Sequence, residues 1–195
     1  MRHTADMDII IRRARGEELD SVGELTAQAY LGDGLLTFKD SDAYLAELRD
    51  ARRRAELAEV LVAADAGSDE VLGAVAFAVH GGAYAELARE GEGEFRMLAV
   101  RPEARRRGVA EALVRACLER GRQLGLARIV ISSQQQMAAA HRLYRRLGFV
   151  RAPERDWEPV PGITLWAFRV ELGAPASRTS PANSDEGGTG GVTDR

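Results

Sequence analysis

The segment from Glu94 to Gly121 constrains this chain more than any other, because it reads as a strand delivered directly into a helix. Glu94-Phe95-Arg96-Met97-Leu98-Ala99-Val100 has the aromatic and apolar content of a buried strand. From Val109 the apolar residues Val109, Leu113 and Cys117 recur every four positions, flanked by Ala110, Val114 and Leu118. That spacing makes one face of a helix lying on a sheet. Arg101-Pro102-Glu103-Ala104 and Arg105-Arg106-Arg107-Gly108 lie between them. The first N–H groups of a helix have no intrahelical acceptor, and its aligned peptide dipoles favour negative charge there. Gly108 and the small Ala110 keep this helix start open to an approaching anion. Seven arginines against three glutamates between Arg101 and Arg122 add charge, so Arg105, Arg106, Arg107, Gly108, Val109 and Ala110 form a candidate anion cradle.

Strands and helices alternate around this unit in an α/β pattern. Met7–Arg13, with three consecutive isoleucines, predicts a first strand, and Gly16–Tyr30 a helix striped by Leu19, Val22, Leu25 and Ala29. A second helix is expected from about Ser41 through Ala51. Ala58–Ala64 and Val71–Val79 predict a hairpin across Asp65-Ala66-Gly67-Ser68-Asp69. His80–Gly93 is expected to be a loop with a short helical turn near Tyr84–Leu87. Leu126–Ile131 predicts a strand, and Met137–Leu147 a helix ended by Gly148. Phe149–Arg151 and Ile163–Val170 predict final strands, joined through a turn rich in Pro159, Pro161 and Gly162. One domain is therefore expected over residues 7–171, followed by a tail over 173–195 too poor in large apolar residues to fold.

The cradle lacks both Gly-x-x-x-x-Gly-Lys-Ser/Thr and Gly-x-Gly-x-x-Gly, which argues against a mononucleotide P-loop and a dinucleotide fold. Arg105-x-x-Gly108-x-Ala110 after the Glu94–Val100 strand resembles instead the acyl-CoA-binding motif of the GNAT N-acetyltransferase superfamily, Arg/Gln-x-x-Gly-x-Gly/Ala. Ala140-x-x-Leu143-Tyr144-x-x-Leu147-Gly148-Phe149 is similar to a second motif of that family, in the same order. The resemblance covers roughly Ile9 to Val170. It implies a three-layer α/β fold with a central mixed, mostly antiparallel, splayed sheet flanked by helices. It also implies acetyl-CoA as acyl-donor substrate, with Leu98, Ala99 and Val100 along the pantetheine arm and residues 105–110 at the pyrophosphate. The strand near Ile129–Ser132 would form the opposite wall. Many members carry Asn where this chain has Met137, a departure that removes an amide contact near the cofactor.

The implied reaction is direct transfer of an acetyl group to a primary amine on a small molecule or protein terminus. Tyr144 holds the position from which the family commonly protonates the departing thiolate, and its hydroxyl can donate. Packing beside Leu143 and Leu147 is its purely structural alternative. Glu94 is the candidate base, directly or through water; a carboxylate raised by burial would suit this role. His141, three residues before Tyr144, reads as partly exposed and His80 as a residue bordering the acceptor. Cys117, the single cysteine, sits on the apolar helix stripe as a structural thiol, so no acyl-enzyme is expected. Tyr30, Leu35, Leu36, Phe38 and Tyr44 could wall the acceptor side, with Asp33 and Asp40 attracting an amine.

No metal is expected, because no histidine or cysteine cluster has ligand spacing. A net charge of -3 argues against a broad nucleic-acid surface, and the Ile9-Ile10-Ile11 run is too short for a signal peptide core or membrane span. The chain thus reads as cytoplasmic, without nucleic-acid or membrane partners, and with homodimerisation left open. The competing reading is a non-catalytic acyl-CoA-responsive module acting on a protein partner. An RNA-binding arginine patch is the weaker third, since no aromatic platform accompanies it.

Overall fold

The computed structural model describes residues 8–36 and 43–173. Eight strands form one sheet in the order β1-β2-β3-β4-β5-β8-β6, with β7 also on β8. They are β1 (Ile9–Arg13), β2 (Glu59–Asp65), β3 (Val71–Val79), β4 (Glu92–Val100), β5 (Arg128–Gln134), β6 (Val150–Arg151), β7 (Trp157–Val160) and β8 (Ile163–Glu171). The helices are α1 (Leu19–Gly32), α2 (Ala43–Arg49), α3 (Ala51–Leu57), α4 (Val109–Gln123) and α5 (Ala138–Arg146). Among the described residues only β4 and β5 pair in parallel; every other pairing is antiparallel.

The period-two alternation of the central strands divides two helical layers. Leu61, Ala63, Val75, Phe77, Phe95, Ile129 and Ile131 pack against Val109, Leu113 and Cys117 of α4 and Leu143 and Tyr144 of α5. On the other face Val60, Val62 and Ala74 meet Val22, Leu25 and Ala51, while Ala76, Ala78 and Met97 meet Ala27, Leu45 and Leu48. Burial on both faces explains why β2 and β3 read as nearly continuous apolar runs. This is the mixed, mostly antiparallel three-layer fold that the sequence implied.

Four local differences separate the structure from the sequence reading. The second helix breaks at Asp50, whose carboxylate accepts the Arg53 N–H and restarts the chain as α3; Ser41 lies outside the described residues. Residues 84–87 form no helical turn, because the amides of Glu86, Leu87 and Ala88 are drawn onto the Glu94 carboxylate. β5 runs three residues further, to Gln134, with its additional backbone paired to β8. Trp157–Val160, read as part of a turn, forms β7 on β8, a prolyl strand tolerated at an edge. The proposed 173–195 tail lies, apart from Gly173, outside the described residues.

Candidate functional site

The feature that makes a site is the parting of β4 and β5. Their parallel ladder joins only Glu92, Gly93 and Glu94 to Arg128, Ile129 and Val130. Beyond it β4 continues to Val100 and β5 to Gln134 without pairing to each other. The cause lies in β4. Ala74 and Ala76 of β3 oppose Ala99 and Arg96, so Met97 and Leu98 together face Val75, and Met97 adopts φ 54°. Such a bulge bends its strand and sharpens the local twist, turning the end of β4 away from β5. The result is a wedge with two facing backbone edges, into which an extended molecule could insert by strand-like hydrogen bonding. Leu98, Ala99 and Val100 lie on its β4 edge.

At the open end of the wedge the chain enters α4 through two left-handed residues, Arg106 at φ 61° and Gly108 at φ 82°. Gly108 is the N-cap and offers no side chain to satisfy the first turn of α4. An L side chain there would be strained by the positive φ rather than crowded, since a Cβ would meet nothing within 4 Å. Left-handed residues alternating with other conformers in a turn point successive backbone N–H groups into an anion-binding concavity. The surroundings hold this geometry in place. Arg105 makes a two-pronged contact with Asp33 at the end of α1, at 2.8 and 3.2 Å. Arg101 donates to the Val71 carbonyl at 2.6 Å. Gly73 lets β3 pass under the helix start, where a Cβ would lie 2.7 Å from the Ala99 carbonyl and 3.0 Å from Val109.

Asp33 is therefore occupied by Arg105 rather than left to attract an amine, and Arg105 is first a brace between α1 and the cradle. Arg106 and Arg107 are exposed, and Val109 is buried beneath the helix start.

Tyr144 is only 4% exposed and lies among Phe95, Phe149 and Phe168, with ring centroids 5.7 to 5.9 Å apart. Its hydroxyl makes no hydrogen bond to a described residue. Burial pushes its pKa well above the ordinary phenol value, so it stays protonated through neutral pH. Glu94, 1% exposed, is held more tightly. Its Oε2 accepts N–H bonds from Glu86, Leu87 and Ala88 at 3.0, 2.7 and 3.0 Å, and Oε1 lies 4.0 Å from Arg96. Burial raises its pKa against the opposing pull of those amides and Arg96. The carboxylate thus organises the loop before β4, and the Glu94 backbone forms the last pair of the β4–β5 ladder at the wedge apex.

Beside Glu94, Glu92 and Arg155 form a buried ion pair at 2.8 Å, and Arg155 also donates to the Leu87 carbonyl. Despite burial, Arg155, the Arg89 N–H and Arg128 hold Glu92 below the usual carboxylate range. His80 bonds the Ala88 carbonyl at 2.9 Å through Nδ1 and so braces the same loop. Cys117 is fully buried and its thiol is pushed up by burial, as befits a core residue.

A cleft of about 290 Å³ opens where Gly34, Leu35 and Leu36, the Gln134–Gln136 run, and Gly162, Ile163 and Thr164 converge. Leu35 and Leu36 were expected on this side; the three glutamines were not. Their only sequence signal is a polar run directly after a strand. Gln134 Nε2 donates to the Leu35 carbonyl at 2.8 Å, joining the end of β5 to the segment after α1. Tyr30 and Tyr44 meet edge to face at 6.2 Å nearby in sequence, whereas Phe38 and Asp40 lie outside the described residues. Among the described residues no group of three or more His, Cys, Asp or Glu could hold a metal ion, and no helix is long and apolar enough to cross a membrane.

A central sheet split between two parallel strands, with an amide-lined helix start at the mouth of the split, defines an acyl-CoA-binding transferase fold. Residues 20–149 match the model of the acetyltransferase (GNAT) family, and the chain belongs to that family. Its fold is similar to that of a GNAT superfamily phosphinothricin acetyltransferase from Sinorhizobium meliloti in complex with acetyl-CoA: 20% identity, TM-score 0.65, 91% of this chain and 98% of that one. It is likewise similar to PaiA N-acetyltransferase from Thermoplasma acidophilum in complex with coenzyme A, at 14% identity and TM-score 0.65, covering 85% and 99%. An IAA acetyltransferase from Bacillus cereus aligns at 14% identity and TM-score 0.58, over 84% and 99%. No curated protein sequence matches the chain significantly.

Proposed function

We propose that this protein transfers an acetyl group from acetyl-CoA directly to a primary amine of a small molecule or protein N-terminus. The observation that carries this reading is the unpaired β4–β5 wedge ending at the left-handed turn before α4. In a wedge of this shape the backbone edges at Leu98–Val100 and Ile131–Gln134 hold an extended pantetheine arm, and the N–H groups from Arg106 to Ala110 receive the pyrophosphate. When bound, the cofactor supplies an activated thioester. Two family structures solved with acetyl-CoA or coenzyme A support the fit.

Tyr144 serves as the proton donor to the leaving sulfur, since burial keeps its hydroxyl protonated and no hydrogen-bond partner among the described residues competes for it. Glu94 serves as the proton acceptor through Oε1, reached by way of water, while Oε2 remains bound to the loop amides. The cleft beside Gln134–Gln136 admits the acceptor.

Incubation with acetyl-CoA and a panel of primary amines and N-terminal peptides tests the reading. Release of free CoA and acetylated product is expected only with particular acceptors. Tight CoA binding with no turnover across the panel would instead identify a binding module, a reading favoured by the fully engaged Glu94 Oε2.

A further inference from the structure

Beneath the wall of the wedge lies a buried polar pair that the proposed reaction does not use. Ser133 and His141 are 5% and 3% exposed, and Ser133 Oγ lies 3.0 Å from His141 Nε2. Ser133 belongs to the part of β5 that has left β4, so it sits in the wall itself. His141 belongs to α5 and lies one turn before Tyr144. His141 stacks on Trp166 at 5.6 Å and 21°, and lies 4.9 Å from Phe168. Phe168 also touches Tyr144, so one aromatic ring separates the two side chains. Ser133 Oγ is also 3.4 Å from the sulfur of Met137, the residue just before α5.

We propose that Ser133 and His141 are positioning residues for acetyl transfer: their hydrogen bond fixes α5, and with it the Tyr144 hydroxyl, against the unpaired end of β5. The inference rests on the acetyltransferase reading above. The physical requirement is specific. β5 has no ladder to β4 here, so the wall is held from one side by β8 alone, and α5 needs a lateral tie. A buried hydrogen bond between two polar groups supplies direction that the surrounding rings cannot.

The pair works with a neutral imidazole. Burial, Arg145 on α5 and Arg151 on β6 lower the His141 pKa below its ordinary value, against the opposing pull of a hydrogen bond to the Gln134 backbone. β8 presents Trp166 and Phe168 to the ring, with Arg151 lying over Trp166 at 4.7 Å, and β5 presents Ser133 and the Gln134 backbone. A second positive charge between Arg145 and Arg151 is therefore unfavourable. Acidification through the folded His141 pKa, which lies below the ordinary value of about 6.5, puts a proton on the imidazole of the native enzyme and loosens the tie.

The test compares Ser133→Ala, Ser133→Thr and His141→Gln with the wild type, measuring acetyl-CoA binding by titration and single-turnover acetyl transfer from pH 5 to pH 8. Ser133→Ala is expected to slow transfer about tenfold at pH 7.5 while changing the acetyl-CoA Kd less than about threefold. Ser133→Thr, which keeps the hydroxyl, should recover most of that rate. His141→Gln keeps a bonding group without a titrating one, and should flatten the acid limb of the transfer rate. Unchanged rates and acid limbs in all three variants, in an enzyme that binds and transfers normally, would overturn the inference alone. A wild type that binds no acetyl-CoA would overturn the acetyltransferase reading and the inference with it. If it binds without transferring, the His141 imidazole signals in NMR decide: the inference requires a pKa below 6.5 and a shift when acetyl-CoA is added, and fails without both.

Discussion

Tyr144→Phe removes one oxygen and leaves the aromatic cluster standing. The three ring contacts at 5.7 to 5.9 Å are all available to phenylalanine, and the hydroxyl has no described protein partner to abandon. Stability should therefore move by less than about 1 kcal/mol, with either sign, since a buried hydroxyl is relieved rather than a bond broken. Transfer should suffer far more. A positioned proton donor contributes about 10² to 10⁴ in rate, so a loss of 10² corresponds to about 2.7 kcal/mol of transition-state stabilisation. The pH dependence carries a second constraint. Burial raises the folded phenol above its ordinary pKa near 10, so the protonated donor persists through neutral and mildly alkaline pH. No alkaline loss of rate below about pH 10 should belong to this group. Single-turnover CoA release, followed with a thiol reagent alongside acetyl-CoA titration, separates chemistry from binding. A variant with a transfer rate within about threefold of wild type would refute the assignment, as would a slower one whose whole deficit lies in acetyl-CoA affinity.

Three further outcomes test the frame around the site. Gly108→Ala meets no steric obstacle but must hold φ 82° with a Cβ, costing about 1 to 2 kcal/mol, and should weaken acetyl-CoA binding in the same titration. Arg155→Met leaves the buried Glu92 carboxylate to the longer Arg128 contact and the Arg89 N–H, and should lower unfolding stability in urea by about 3 kcal/mol; adding Glu92→Gln should recover much of it. Asp156 accepts hydrogen bonds from both Arg151 nitrogens at 2.8 Å and from the Ala167 N–H, which hold its pKa below 3.8 against burial. Because its folded pKa is depressed, its contribution is present above pH 3.8 and lost as pH falls below it. Asp156→Asn should thus be less stable than wild type at pH 7, and the gap should close on acidification.

Periodicity and turn chemistry carried the sequence a long way. The every-fourth-residue stripe of α4 and the continuous apolar runs of β2 and β3 report burial directly, on one face of the helix and on both faces of the strands. The Arg105-x-x-Gly108-x-Ala110 and Leu143-Tyr144 motifs were legible because a helix start and a helix face are local objects. The split at Asp50 and the edge strand Trp157–Val160 were hidden by competing local signals, a continuous apolar stripe in one and two prolines in the other.

What the sequence determined by itself was a strand, an open glycine-containing turn and a helix ready for an anion. Tertiary structure decided where that unit opens, because strand pairing joins residues far apart in the chain. Only the register of β3 on β4 reveals the bulge at Met97, and only the short β4–β5 ladder reveals the wedge. Likewise, three amides from the preceding loop close on one oxygen of Glu94, and His141, expected at the surface, meets Ser133 in the core. Ser133 and His141 meet only when β8, β5 and α5 pack, and no pattern along any one of them announces the meeting.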